Sequence, residues 1–351
     1  IDPFNNSTIY FGSQFVHKSI DKGLTWELIS EDLTTNDPEK QKQNESGGIS
    51  LDATGAENHT TILVIEPSLL EKDMLWVATD DGRVHYTQNG GNEWNEVSNN
   101  LSGLPKGSWI TQIKASNKNK GEALLVANDY RRFNYEPYAY RTTNYGKSWQ
   151  RIVDKDDVLS YALCIIEDPV EKNLLFLGTD DGLYLSIDAG ISWTKWTNGF
   201  PTVSVKDLVI QERENDLIIG TFGRAAWVLD DLKPLRSIAK NNEVLASDIV
   251  LFEAPEAYQV SFQQPTGSRF GADAIFQGEN RVYGARIPYY FQKKKEENSK
   301  DIDPSEKNKD KEEEEDVDEK ITEGKHKDSI YLKIYDGDRL IRSLKKKTPD
   351  S

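Results

Sequence analysis

Ser186-Ile-Asp-Ala-Gly-Ile-Ser-Trp193 is one of four octapeptides that align along this chain. The others are Ser19-Ile-Asp-Lys-Gly-Leu-Thr-Trp26, Thr87-Gln-Asn-Gly-Gly-Asn-Glu-Trp94 and Thr142-Thr-Asn-Tyr-Gly-Lys-Ser-Trp149. The shared pattern is Ser/Thr, any, Asp/Asn, any, Gly, any, Thr/Ser/Glu, Trp. Its chemistry is that of a hairpin turn. The Asp or Asn (Asp21, Asn89, Asn144, Asp188) accepts hydrogen bonds from backbone amides just ahead of it. The Gly two residues on supplies a positive φ. The Trp (Trp26, Trp94, Trp149, Trp193) opens the returning strand and offers a large apolar face to a neighbour.

Working outward, each octapeptide is preceded by the same units. Met74-Leu-Trp-Val-Ala78 is an apolar strand, Thr79-Asp-Asp-Gly82 a turn, and Arg83-Val-His-Tyr-Thr87 a third strand. Leu174-Leu-Phe-Leu-Gly178, Thr179-Asp-Asp-Gly182 and Leu183-Tyr-Leu-Ser186 repeat that order. Earlier still come strands ending near a proline, Thr61 to Pro67 and Tyr161 to Pro169. One unit is therefore strand, Pro turn, strand, Gly turn, strand, octapeptide, strand. Four short antiparallel strands at this period make a β-propeller blade. A fifth unit has strands at Val205 to Gln211, Asp216 to Thr221 and Ala225 to Leu229, without an octapeptide. The opening Ile1-Asp2-Pro3 matches the end of a first strand (compare Ile65-Glu66-Pro67), so the chain is expected to begin mid-blade. The predicted fold is all-β: a propeller of about five visible blades, an incomplete ring, followed by the start of a β-sandwich.

The 351 residues carry 43 basic and 59 acidic side chains, a net charge of −16. That balance offers no electrostatic footprint for nucleic acid. The single Cys164 excludes an intrachain disulfide. No apolar run reaches the roughly 20 residues of a membrane-spanning helix, and no signal peptide is visible in a chain whose start looks cut.

After Asp231 the pattern changes. Residues 1–253 are assigned to the propeller, with Ser247 to Phe252 as a strand closing the fifth blade. Residues 254–282 are a Gly/Pro/Gln-rich connector. Residues 283–351 are an incomplete sandwich-like segment: Gly284 to Phe291 and Ser329 to Tyr335 alternate as half-buried strands. Asp336-Gly337-Asp338 is a hairpin turn, with Arg339 to Leu344 returning. Residues 293–327, nearly all Lys, Glu and Asp, read as a solvated disordered insertion.

The octapeptides resemble the Asp-box (BNR) repeats shared by sialidases, xyloglucanases, photosystem assembly factors and sortilin. Residues 1–235 look like the large sortilin-like BNR-repeat proteins of bacteria. The stretches carrying that likeness are Ile29 to Asp37, Thr54-Gly-Ala-Glu57, Leu75 to Gly82 and Gly220 to Asp231. The resemblance implies an extracellular, periplasmic or outer-membrane-associated protein. Such proteins are often labelled glycosyl hydrolases, a label that rests on the repeat alone.

In an up-and-down blade, the loop before the first strand and the loop between the second and third share one face. That face collects Glu57, His59, Lys106 to Trp109, Asp80, Asp81, Asp129 to Tyr135, Asp180, Asp181 and Phe222 to Arg224. Glycoside hydrolysis needs two carboxyl groups roughly 5–10 Å apart, for which Glu57, Asp80, Asp129 and Asp180 are the candidates. Against that, Thr-Asp-Asp-Gly occurs twice at equivalent positions and reads as a turn that the repeat dictates. Arg131, Arg132 and Arg224 allow an anion pocket. Arg286-Ile-Pro288 lies after the propeller and is not a sialidase signature. The loop Tyr130, Arg131, Arg132, Phe133, Tyr135, together with His59, Trp109 and Arg224, is the candidate ligand-binding surface; its aromatics could equally cover the blade edge. No His/Cys/Asp spacing suggests zinc and no cofactor motif appears, so neither a metal nor a cofactor is expected. The leading reading is a non-catalytic propeller binding a protein, peptide or glycan within a larger exported protein. The alternative is a sialidase- or xyloglucanase-like glycoside hydrolase.

Overall fold

The computed structural model describes residues 1–42, 59–258, 284–292 and 329–347. The chain divides into two compact units, Ile1–Tyr290 and Phe291–Ser351.

The first unit holds the five blades of a β-propeller. Blade 1 has three strands, β1 (Ile9–Gly12), β2 (Val16–Ser19) and β3 (Glu27–Leu28). Blade 2 is β4 (Ile62–Pro67), β5 (Leu75–Thr79), β6 (Val84–Thr87) and β7 (Asn95–Glu96). Blade 3 is β8 (Trp109–Ala115), β9 (Ala123–Asp129), β10 (Asn134–Thr142) and β11 (Gln150–Arg151). Blade 4 is β12 (Ala162–Glu167), β13 (Leu175–Thr179), β14 (Gly182–Ser186) and β15 (Thr194–Trp196). Blade 5 is β16 (Val205–Gln211), β17 (Asp216–Thr221) and β18 (Ala226–Leu229). All neighbours are antiparallel, and each sheet runs in sequence order. The first strands of blades 2–5 pack on one another, β4 on β8, β8 on β12 and β12 on β16, while β1, the second strand of blade 1, packs on β4.

The four octapeptides fold alike. The leading hydroxyl accepts the glycine amide: Gly23 N–H to Ser19 at 2.7 Å, Gly91 to Thr87 at 3.0 Å, Gly146 to Thr142 at 2.9 Å, Gly190 to Ser186 at 2.9 Å. The Asp or Asn accepts the amide four residues on: Thr25 to Asp21, Glu93 to Asn89, Ser148 to Asn144, Ser192 to Asp188, all at 2.9–3.0 Å. The hydrogen bonds from Thr25 hold the Asp21 carboxyl down at about 2. Desolvation acts upward on Asp188, but bonds from Ser186 and Ser192 outweigh it and keep this carboxyl low as well. The residue before each glycine is also left-handed (Lys22, Gly90, Tyr145, Ala189), which the pattern did not suggest.

These turns are also staples between blades. A Cβ on Gly91 would fall on the carbonyl oxygen of Ile29 in blade 1, and one on Gly146 would lie 2.8 Å from Val97 Cγ2 in blade 2. A Cβ on Gly190 would lie 3.0 Å from Ile152 Cβ, just past blade 3. Trp94 Nε1–H donates to Ile29 O at 2.9 Å and Trp193 Nε1–H to Ile152 O at 2.7 Å. Trp26, with no such carbonyl facing it, donates to its own Gly23 O at 3.1 Å and is 46% exposed.

At the opposite end of each blade, the turn from first to second strand is capped by one polar side chain accepting two amides. Asp2, Ser68, Ser116 and Asp168 play this part in blades 1–4. Apolar cores fill the gaps between blades. Trp76, Val84, Ile113, Tyr140 and Trp149 lie between blades 2 and 3, and Val126, Ile165, Leu177, Tyr184 and Trp193 between 3 and 4. Cys164, Phe176, Leu208 and Ile219 lie between 4 and 5.

The sequence reading needs one correction. Ser247 to Phe252 does not close the fifth blade. Beyond β18 the chain turns at Asp231 (φ 58°) and enters the helix Lys233–Lys240, with Pro234 in its first turn. Leu232 and Ala239 join the core between blades 4 and 5. Ile249–Leu251 pairs instead with the strand that opens at Tyr289, and Phe252 N–H donates to Pro288 O at 3.1 Å. In the second unit, Ser329–Asp336 and Arg339–Lys347 form a hairpin through the predicted Gly337-Asp338 turn. Residues 259–282 of the 254–282 connector and the charged insertion over 293–327 lie outside the described residues.

Candidate functional site

Every blade with a first strand has a register shift near its entry, between Ile62 and Val64, Ile110 and Gln112, Ala162 and Cys164, Val205 and Asp207. Such bulges re-aim the residues beside them. They lie at the end where the entry loops meet the turns between second and third strands.

In blade 2 the Thr79-Asp-Asp-Gly82 turn is held from within. Arg83 N–H donates to Thr79 Oγ1 at 2.9 Å, and the Thr79 hydroxyl donates to Asp81 Oδ1. Asp81 Oδ2 accepts from the amide and hydroxyl of Thr35, which arrives from blade 1, both at 2.6 Å. Asp80 Oδ1 accepts the Thr61 amide at 2.8 Å. Both aspartates are buried (Asp80 1% and Asp81 4% exposed). Burial lifts the Asp80 carboxyl to about 6, with the neighbouring Asp81 charge adding to the effect. His59 joins them. One donor atom from each of His59, Asp80 and Asp81 lies within 4.8 Å of the others. Burial, then Lys40, lowers the His59 pKa, and its Nδ1 is shielded with no hydrogen-bond partner.

Blade 4 carries the same four residues in different company. Thr179 Oγ1 donates to Asp181 Oδ1 at 2.7 Å, while Asp181 Oδ2 takes Lys195 Nζ at 2.7 Å and the Tyr184 hydroxyl at 3.2 Å. Asp180 is exposed, and its charge, after burial, pushes the Tyr161 hydroxyl pKa up. The structure therefore supports reading Thr-Asp-Asp-Gly as a turn in its own right.

Blade 3 supplies aromatic and cationic groups. The Arg131 guanidinium lies over the Trp109 ring, 3.2 Å from its centroid, and 4.7 Å from that of Tyr130. Tyr130 stacks on Tyr161 of blade 4 (centroids 4.7 Å, interplanar 19°), and Tyr135 flanks Tyr161 at 6.2 Å. Trp109, Arg131, Tyr130, Tyr161 and Tyr135 thus form a strip from blade 3 to blade 4, with Asp180 at its end. Phe133, left-handed (φ 60°), and Tyr135 are 82% and 54% exposed. Asp129 is not open: Arg132 Nε donates to it at 2.5 Å and Asn134 at 3.3 Å.

The candidate residues thus fall into two groups, His59 with Asp80 and the strip through Trp109, Tyr130, Arg131 and Tyr135. Asp129 and Arg132 are paired with each other. Arg224 is exposed on blade 5, its carbonyl accepting from Trp227 Nε1 at 3.0 Å. Glu57 lies outside the described residues.

No protein-family model matches the chain, and no curated protein does. Among solved structures, 66% of the chain is similar to 36% of the GH74 xyloglucanase from Xanthomonas campestris (17% identity, TM-score 0.48). Likewise 65% is similar to 30% of an ancestral GH74 enzyme (15% identity, TM-score 0.44). A shorter stretch, 48%, is similar to 53% of YCF48 from Cyanidioschyzon merolae (16% identity, TM-score 0.35). The chain spans about a third of the length of these GH74 enzymes.

Two contributors escaped the sequence reading. Tyr161 sits where blade 2 has Thr61, and both carbonyls accept the amide of the first turn aspartate (Asp180 and Asp80). Strict alignment of the two blades would have placed it on the face. Thr35 reaches Asp81 across 46 positions from a segment without a repeat signature, so no local signal marked it.

Proposed function

We propose that the loop face of blades 2–4 is a binding surface for an extended peptide or glycan and that this propeller acts as a binding module. The observation that carries the reading is the Trp109–Arg131–Tyr130–Tyr161–Tyr135 strip. Aromatic rings bring large contact area at low entropic cost, and a guanidinium held over a ring is orientated for a planar or anionic partner. The exposed Tyr135 and Phe133 and the exposed carboxylate of Asp180 extend the strip toward solvent. The mutual stacking of Tyr130 and Tyr161 leaves their edges, rather than both faces, for ligand. A glycan and peptide array probed with the full chain, then with Arg131→Ala and Tyr135→Ala, tests this. Binding that both substitutions weaken by tenfold or more supports the surface. Binding that neither one changes sinks it.

A second reading rests on Asp80. A buried carboxyl lifted to about 6 beside an imidazole has the protonation range of a general acid. It predicts turnover of a chromogenic glycoside that Asp80→Asn abolishes. Binding without turnover leaves the module reading in place.

A further inference from the structure

The Thr-Asp-Asp-Gly turn occurs in two blades, and the comparison isolates what is unusual about blade 2. In blade 4 Asp181 has a cationic and a hydroxyl donor, Lys195 and Tyr184, and Asp180 is exposed to solvent. The entry loop there offers Leu159, an exposed apolar side chain. In blade 2 the corresponding entry loop offers His59, and among the described residues no cationic side chain pairs with Asp80 or Asp81. Their bonds come from the hydroxyls of Thr79 and Thr35 and from backbone amides.

We infer that His59, Asp80 and Asp81 form a site for a divalent transition-metal ion. The three donor atoms, one imidazole nitrogen and two carboxylate oxygens, already lie within 4.8 Å of one another. A metal bonded at about 2.0–2.2 Å holds adjacent donors roughly 3–3.5 Å apart, so the groups need close by at most about 1.5 Å. A buried polar nitrogen with no partner calls for an explanation, and the shielded Nδ1 of His59 is such an atom. Two like charges side by side in a dry turn are stabilised by a cation between them. Each carboxylate keeps lone pairs beyond those its hydrogen bonds use. The Thr35, Thr79 and Thr61 donors then orient the ligating groups from outside. One nitrogen with two oxygens suits Zn²⁺ or Mn²⁺ better than Ca²⁺, which prefers an all-oxygen shell.

The surroundings set the affinity. Lys40 and Arg132 also act on His59 and oppose a cation, while Asp37 favours one. Arg132 is neutralised by Asp129. Asp37, Asp80, Asp81 and Asp129 together outnumber the two cations, so the locality stays net negative.

The test is titration of the EDTA-stripped full chain with Zn²⁺, Mn²⁺ and Co²⁺, read by calorimetry and, for Co²⁺, by visible absorption. One site per chain is expected, tighter than the acidic surface background. His59→Gln and Asp80→Asn should each weaken it by at least tenfold. Asp181→Asn, in the sister turn of blade 4, should leave it unchanged. Thermal melts of the metal-free variants show whether each still folds. His59 is half-exposed, so His59→Gln remains informative if Asp80→Asn does not fold. Absence of a site above background overturns the inference, and so does a site that survives both blade 2 substitutions in folded protein.

Discussion

Replacing Gly91 by alanine should cost far more than the same replacement at Gly23, although both occupy the same place in their octapeptides. Gly91 sits at φ +99° and Gly23 at φ +92°, so each alanine carries a left-handed penalty of about 1–2 kcal/mol. At Gly23 the new Cβ meets only Ile9 Cδ1 at 3.4 Å and Trp26 Cζ2 at 3.6 Å, ordinary contacts. At Gly91 it lands on the carbonyl oxygen of Ile29 and 2.9 Å from Ile29 Cβ. That backbone is fixed, because Ile29 N–H donates to Val16 O at 3.0 Å and Ile29 O accepts from Trp94 at 2.9 Å. Forcing it aside weakens the Trp94 bond, worth about 1 kcal/mol. It also strains the packing of Val16, Leu33, Ile62 and Val77 between blades 1 and 2 by about 1–3 kcal/mol. Gly91→Ala should therefore destabilise by about 3–6 kcal/mol against about 1–2 for Gly23→Ala. The extra cost at Gly91 is about 2–4 kcal/mol, and with about 2–4 °C of melting temperature per kcal/mol the gap is roughly 4–16 °C. Circular-dichroism melts at one scan rate measure it. Gly103→Ala (φ +79°, nothing within 4 Å) gives the backbone penalty alone. Equal melting of the Gly23 and Gly91 variants would refute the view that these turns lock blade to blade.

Three further outcomes follow from the same structure. Asp80 is raised to about 6 from an unfolded value near 3.8, so its charge destabilises the fold fully above pH 6 and not at all below about 4. Asp80→Asn should thus gain stability relative to the unmutated chain between pH 4 and pH 7, by at most about 3 kcal/mol, as paired melts at the two pH values report. Arg236 Nε lies 2.9 Å from both oxygens of the fully buried Asp168. Arg236→Met should cost about 3–5 kcal/mol by stranding that carboxylate, and adding Asp168→Ser, the residue of Ser68 and Ser116, should recover part of the loss. Cys164 is buried in β12 with its thiol pushed well up by desolvation. It should react with a thiol reagent only at the rate of unfolding, and fast labelling of the native chain would contradict its place in the core.

The blade order was legible because its signals are local. An octapeptide turn satisfies its own amides through hydroxyl and carboxylate side chains two to four residues away, so Ser19 to Trp26 and its sisters announce themselves in any context. The same is true of the fifth blade's three strands and of the Gly337-Asp338 turn. What followed β18 was not legible: Ile249–Leu251 alternates like a closing strand, and only packing shows that Leu232 and Ala239 of a helical segment enter the core there instead. The candidate site divides in the same way. Its residue types and its face could be read from blade topology, which alone assigns Asp80, Trp109 and Tyr130 to one end. Pairings across the gaps between blades could not. Thr35 on Asp81 and Tyr161 on Tyr130 join positions far apart in the chain, through blade spacing that no short motif encodes. Two copies of Thr-Asp-Asp-Gly are one turn in sequence. Tertiary structure makes them different: it places Lys195 and Tyr184 on one and a histidine beside the other.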